Sequence, residues 1–185
     1  MIGTLFKWLA ILLVVIIAGV AVLLIGARFS DGPIAIVAGG PFTSGTPHVG
    51  EEPDWSSLKD RQEVEFQLLS PARSRTTWIL EHNGRIYIPC GYMNTAWGKM
   101  WKQWPIEAED DGRAILRVDD QLYDRQLVRV QDGPELPYLI KEISRKYLAQ
   151  MSLAPEGTTE QDLIDSGLAQ VAEGSLWIFE MAPRT

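Results

Sequence analysis

A run of 20 residues without a charge, Trp8 to Ala27 (WLAILLVVIIAGVAVLLIGA), limits this chain more than any other feature. At about 1.5 Å of rise per residue, some 20 apolar residues cross a hydrocarbon layer of about 30 Å. A cleaved signal peptide is the rival reading, but its apolar region runs only about 7 to 15 residues before a small-residue cleavage site. Here the run is longer and no A-x-A site follows Ile25, so residues 8–27 are expected to stay in the lipid bilayer as a single span. Trp8 and Arg28 flank it as interfacial residues do. Lys7 beside the amino terminus gives a slight bias toward a cytoplasmic start, which would place the rest of the chain outside the cytoplasmic (inner) membrane.

Beyond the span, the chain divides into a Gly/Pro-rich lead-in over residues 29–62 and a domain over 63–185, a length that suits one core. Apart from Lys7 and Arg28, the chain carries 15 basic against 24 acidic side chains, a formal charge of −9. Such a surface repels phosphate backbones, so nucleic acid is set aside as a partner. It is also repelled weakly by anionic lipid, which favours an anchor over a flat-lying domain. The single cysteine, Cys90, cannot form an internal disulfide and leaves the compartment open.

The lead-in (DGPIAIVAGGPFTSGTPHVGEEPDW) shows no period long enough to define an element, yet Ile34, Ile36, Val37 and Phe42 are apolar enough that part of it should pack. From Glu63 the pattern becomes that of a half-buried strand, with Val64, Phe66 and Leu68 alternating with polar residues. Asn83-Gly84 lies between two branched and aromatic runs, and an Asn-Gly pair supplies the positive φ that a tight hairpin needs. This predicts paired strands at Thr76–Glu81 and Arg85–Pro89. A second hairpin is expected around Asp119-Asp120, and a short helix between the hairpins. Leu136, Leu139 or Ile140, Ile143, Tyr147 and Met151 recur at helical spacing. Pro134 and Pro137 suit a first turn. A further helix starts at Thr158 or Thr159, and SLWIFEMAP closes the chain as a strand with Trp177, Phe179 and Met181 on one face. The order predicts an α+β fold, mainly β: a six-stranded antiparallel split β-barrel with flanking helices, since closing the sheet removes exposed edges.

Four stretches carry a resemblance: SRTTWILEHNGRIYI, KMWKQWPIEAEDDGRAILRV, DDQLYDRQLVRVQD and SLWIFEMAP. In order and local pattern they resemble the split-barrel flavin-binding superfamily, which includes pyridoxamine 5'-phosphate oxidase-like proteins and deazaflavin-dependent nitroreductases. The lead-in looks like that of a membrane-anchored bacterial branch. The resemblance implies FMN or a deazaflavin of the F420 type lying along the barrel wall at a homodimer interface, and oxidoreductase chemistry on a small organic acceptor. It assigns the cofactor's anionic tail to the loop SPARSRTT (Arg73, Ser74, Arg75, Thr76) and to Lys99 and Lys102, with Tyr92 near the ring. Guanidinium forks and hydroxyls pair well with phosphate oxygens, and lysine adds a mobile charge. The loop ARSR lacks the glycines of the Gly-Arg-x-Ser-Gly pattern found in many deazaflavin enzymes. That departure keeps a second reading open, a non-catalytic tethered module that binds a small hydrophobic ligand or an envelope protein.

The residues also have plainer readings. Arg73, Arg75, Lys99 and Lys102 suit ordinary solvated charge as well as a basic patch. Trp97, Trp101 and Trp104 fit a ring-stacking wall, but Trp101 and Trp104 fit core cover at the barrel's open end better. Cys90 reads as a small buried apolar residue before it reads as a redox thiol. His48 and His82 are too few and too far apart for a metal site, and none is expected. Asp110-Asp111 and Asp119-Asp120 are explained by turn chemistry.

Overall fold

The apolar run folds as one helix, α1 (Ile2–Ala27), of which Thr4–Ala27 is long and apolar enough to cross a membrane. The computed structural model describes residues 2–95, 103–148 and 157–184. The remaining elements build an antiparallel sheet that curls on itself.

The lead-in is more structured than its composition suggests. Two residues form β1 (Thr46–Pro47), parallel to the start of a later strand. A single 3-10 turn, Trp55–Leu58, is capped by Asp54, whose side chain accepts from the Ser56 amide at 2.9 Å. Trp55 and Leu58 are both buried in the main core. Elements of two and four residues are too short to show a period, which is why the pattern gave no sign of them.

The sheet proper begins at Glu63. β2 (Glu63–Leu69) pairs along its length with β3 (Ala72–Trp78), Glu63 opposite Trp78 and Leu69 opposite Ala72. After one intervening residue, Ile79, comes β4 (Leu80–His82), which turns through Asn83 and Gly84, at φ 52° and 74°, into β5 (Arg85–Cys90). β6 (Arg113–Val118) and β7 (Gln121–Val130) form the second hairpin, with Asp119 and Asp120 both at positive φ in its turn. β8 (Trp177–Pro183) lies between β7 and β5. The strand order is β3-β2-β6-β7-β8-β5-β4. Its two ends are consecutive pieces of one bent strand, so the sheet curls until they meet at Ile79.

That bend corrects the predicted central hairpin. Only Leu80, Glu81 and His82 pair across the Asn-Gly turn, with Tyr87, Ile86 and Arg85, while Thr76–Trp78 pair with β2. Ile79 leaves the ladder because other groups take its backbone. Its amide meets the Tyr147 hydroxyl at 3.0 Å, and its carbonyl accepts from Lys146 Nζ at 2.7 Å. The supposed loop SPARSRTT is likewise a turn at Ser70-Pro71 followed by strand. Its polar side chains on both faces hid the alternation that marks β structure.

Alternate residues of the sheet feed two cores. Val64, Phe66, Leu68, Ile86, Ile88, Leu116, Phe179 and Met181 fill the inside, covered at one end by Trp104 of α2 (Trp104–Asp110). Leu80, Tyr87 and Ile178 point the other way, under α3 (Leu136–Ile143) and α4 (Glu160–Ala172). α3 runs on into a π turn, Ser144–Leu148. Thr159 caps α4 in a reciprocal box with Asp162. A side chain at Gly167 would come within 2.3 Å of Ile140, so that glycine sets how closely the two helices approach.

Candidate functional site

The four residues assigned to an anionic tail lie together on β3, at the edge not paired with β2. Arg73, Ser74 and Thr76 bond to the lead-in, whereas Arg75 bonds to α2 and to the Arg73 carbonyl. Arg73 donates from Nε to the Gly39 carbonyl and from Nη2 to the Ala38 carbonyl, both at 3.1 Å. Ser74, fully buried, donates from Oγ to the Gly40 carbonyl at 2.6 Å, and its own carbonyl accepts from the Gly39 amide at 3.0 Å. Thr76 Oγ1 donates to the Ala35 carbonyl at 3.2 Å. Arg75 forms an ion pair with Glu107 of α2 at 3.1 Å, and burial holds its guanidinium below its ordinary pKa while Glu107 pulls the other way. The segment therefore acts as a strap, with side-chain donors closing a free strand edge against the lead-in's carbonyls.

The lead-in is itself tightly folded where the strap holds it. A Cβ on Gly39 would stand 1.8 Å from the Gly32 carbonyl oxygen, and one on Gly40 would stand 2.5 Å from that of Arg28. The carboxylate of Asp31 accepts from the Thr43 amide at 2.7 Å and from the Ser44 hydroxyl. These bonds, helped by Arg117, hold Asp31 well below the usual carboxylate pKa. Arg117 of β6 ties the region to the sheet, 3.1 Å from Asp31 and 2.6 Å from Glu65, with its guanidinium 4.1 Å above the Phe42 ring.

Beside the strap lies a cleft of about 490 Å³ whose walls include Arg61, Arg117, Glu63, Glu65, Asp119 and Asp120. Among the described residues, Thr76 is the only expected site residue on its wall, with Ala35 next to it. Four carboxylates face two guanidiniums, and both arginines are engaged, Arg61 with Asp119 at 2.8 Å and Arg117 with Asp31 and Glu65. This lining has a net negative charge and suits a cationic or neutral polar group better than a phosphate.

Tyr92 is held by different elements. It is 68% exposed at φ 65°, in a turn whose Met93 amide donates to the Ser175 carbonyl at 3.0 Å. Lys99 and Lys102, with Trp97 and Trp101, lie outside the described residues. Trp104 is buried against Phe66 and Phe179, as core cover. Cys90 is buried too, its Sγ 3.7 Å from Met93 Sδ. His82 stacks on Tyr138 with ring centroids 3.9 Å apart.

Among the described residues, two charges that are 1% exposed escaped sequence reasoning. Arg125, 1% exposed, points into one end of the barrel beside Trp55 and Tyr123. Glu52 from the lead-in accepts from Arg125 Nη1 at 2.7 Å and from Trp55 Nε1 at 2.6 Å. Lys146, also 1% exposed, ties the bend by its bond to the Ile79 carbonyl, and burial brings its ammonium down to about 8. The signal for Arg125 was present in LYDRQLVRV, where it occupies an inward position between Tyr123 and Leu127. Lys146 left no such signal, since it follows the α3 pattern as an ordinary polar residue.

No family model matches the chain, and no curated protein matches it. Solved structures do match. Among five such chains is the conserved hypothetical protein Rv2991 from Mycobacterium tuberculosis, at a TM-score of 0.48 and 11% identity, covering 78% of this chain and 86% of that one.

Proposed function

We propose that this chain is a membrane-tethered split-barrel module without catalytic activity of its own. In this reading α1 holds it as a single pass in the inner membrane with the amino terminus in the cytoplasm, and the barrel presents a binding surface outside. One observation carries the reading: Arg73, Ser74, Arg75 and Thr76 have their donors directed to Ala35, Ala38, Gly39 and Gly40 carbonyls, to the Arg73 carbonyl and to Glu107. A phosphate arriving there would have to displace bonds the fold already uses. The neighbouring cleft, with its excess of carboxylates, fits a basic group of an envelope partner protein or a polar small molecule.

A second reading, a flavin- or deazaflavin-dependent oxidoreductase, is supported by Tyr92. An exposed aromatic ring on a left-handed backbone can serve as a stacking platform, and in the sequence Lys99 and Lys102 follow it. Visible absorption of the detergent-solubilised full chain, titrated with FMN and then with a deazaflavin, separates the two. The module reading expects no bound chromophore at micromolar concentration. A stoichiometric coloured complex that Arg75→Ala weakens by about 1.5 to 3 kcal/mol, the range for a charged hydrogen bond, establishes the redox reading instead.

A further inference from the structure

We propose that the turn at Ile34–Val37, together with Phe29, is a second membrane contact that seats the barrel on the bilayer in one fixed orientation. This rests on the reading that α1 spans the membrane.

The tether contains no slack. The chain leaves α1 through a hydrogen-bonded turn, with the Arg28, Phe29 and Ser30 amides donating to Ile25, Gly26 and Ala27 carbonyls at 3.0 to 3.2 Å. Ser30 Oγ lies 2.7 Å from both the Ala27 and the Gly32 carbonyl oxygens. Ala27 itself is buried. From there Asp31 is paired with Arg117, and residues 35 to 40 are strapped to β3. A helix in the bilayer thus continues into the barrel through bonded contacts, and the orientation of one fixes that of the other.

The same junction exposes apolar surface. Phe29 is 85% exposed and Ile36 86% exposed, with Ile34 also on the surface. Ile34 and Val37 exchange backbone bonds at 2.9 and 3.0 Å across a turn in which Ala35 is held at φ 50°, a conformation costly for any residue with a Cβ. A free surface turn has no reason to combine that strain with two exposed isoleucines. Position supplies the occupant: along a helix rising about 1.5 Å per residue, Trp8 and Phe29 stand about 30 Å apart, one hydrocarbon thickness, so Phe29 falls at the interface. Ile34 and Ile36 come within the next seven residues. A lipid surface is the partner already present there, and the acidic residues of the adjacent cleft favour zwitterionic over anionic headgroups.

The test uses the full chain in phosphatidylcholine vesicles, labelled with an environment-sensitive fluorophore at Phe29→Cys, Ile36→Cys, Val15→Cys within the span, or Ala169→Cys on exposed α4. The wild-type chain, whose Cys90 is buried, is the labelling blank. Labels at 29 and 36 are expected to be quenched by lipids carrying a nitroxide near the headgroup and protected from aqueous iodide, whereas the label at 169 behaves oppositely. Iodide access at 36 equal to that at 169, with the label at 15 still in the acyl region, overturns the seat and leaves the tether standing. Iodide access at 15 overturns both. Protection at 36 from both quenchers assigns that surface to a protein, a second copy included, and overturns the lipid contact.

Discussion

At the scale of single residues, the barrel's closure depends on how one break in a strand is repaired. Ile79 gives up its ladder bonds, and an unpaired buried amide or carbonyl costs about 1 to 3 kcal/mol. Lys146 and Tyr147, adjacent in the π turn, take both groups. The Tyr147 hydroxyl also lies 2.7 Å from the Gln62 carbonyl. The arrangement has a pH signature. Lys146 titrates at about 8 in the fold against 10.5 ordinarily, so between those values the unfolded chain binds more protons and stability rises with pH. Burial raises the Tyr147 and Tyr87 phenols above 10, and stability is lost again as pH climbs past that point. Denaturant midpoints of the full chain in detergent are therefore expected to climb from pH 8 to 10, and Lys146→Met is expected to flatten that rise. An equal slope in the variant would show that another group carries it. None of this was legible beforehand: a lysine next to an arginine near a helix end reads as surface, and only the bend it repairs explains its burial. Arg125 is the contrasting case, because an inward charge on an alternating strand announces itself. Only its partner, Glu52, lies too far away in sequence to be foreseen.

At the scale of elements, the apolar strands were legible and the polar one was not. β2 alternates because one face fills the core, while β5 and β8 run apolar on both faces because each feeds the two cores. β3 carries Arg73, Ser74, Arg75 and Thr76 on both faces, so a strand looked like a phosphate loop. Its edge closes against a lead-in whose folding comes from glycines and carbonyls rather than from any period. The strap can be measured. Replacing Arg73 and Ser74 together by alanine removes three side-chain bonds to Ala38, Gly39 and Gly40. The double variant is expected to lose about 2 to 4 kcal/mol, taking net values of about 1 kcal/mol per bond and more for the charged ones. Trypsin should then cut after Arg28 severalfold faster while the barrel fragment stays resistant. Cleavage at the wild-type rate would mean that the lead-in is held by Arg117 and the glycine contacts alone.

At the scale of the whole molecule, the question is whether two cores on opposite sides of one sheet unfold together. β5 gives Ile86 and Ile88 to the interior and Tyr87 to the helical layer, and β8 divides Phe179 and Met181 from Ile178 in the same way. Neither layer can disperse without releasing strands that the other needs. The Ile79 bend adds a second link, since residues of the π turn hold the seam of the barrel. Phe66→Ala inside and Leu139→Ala under the helices, both at positions with no exposure, should cost about 3 to 5 and 2 to 5 kcal/mol respectively. Each is expected to move one common transition in tryptophan fluorescence and far-ultraviolet circular dichroism, with α1 remaining helical in the micelle. If Leu139→Ala instead released the helices at low denaturant and left the fluorescence transition of the barrel in place, the sheet would be stable without its outer layer. α3 and α4 would then be a detachable cover, and the bend at Ile79 would have to hold without Lys146 and Tyr147.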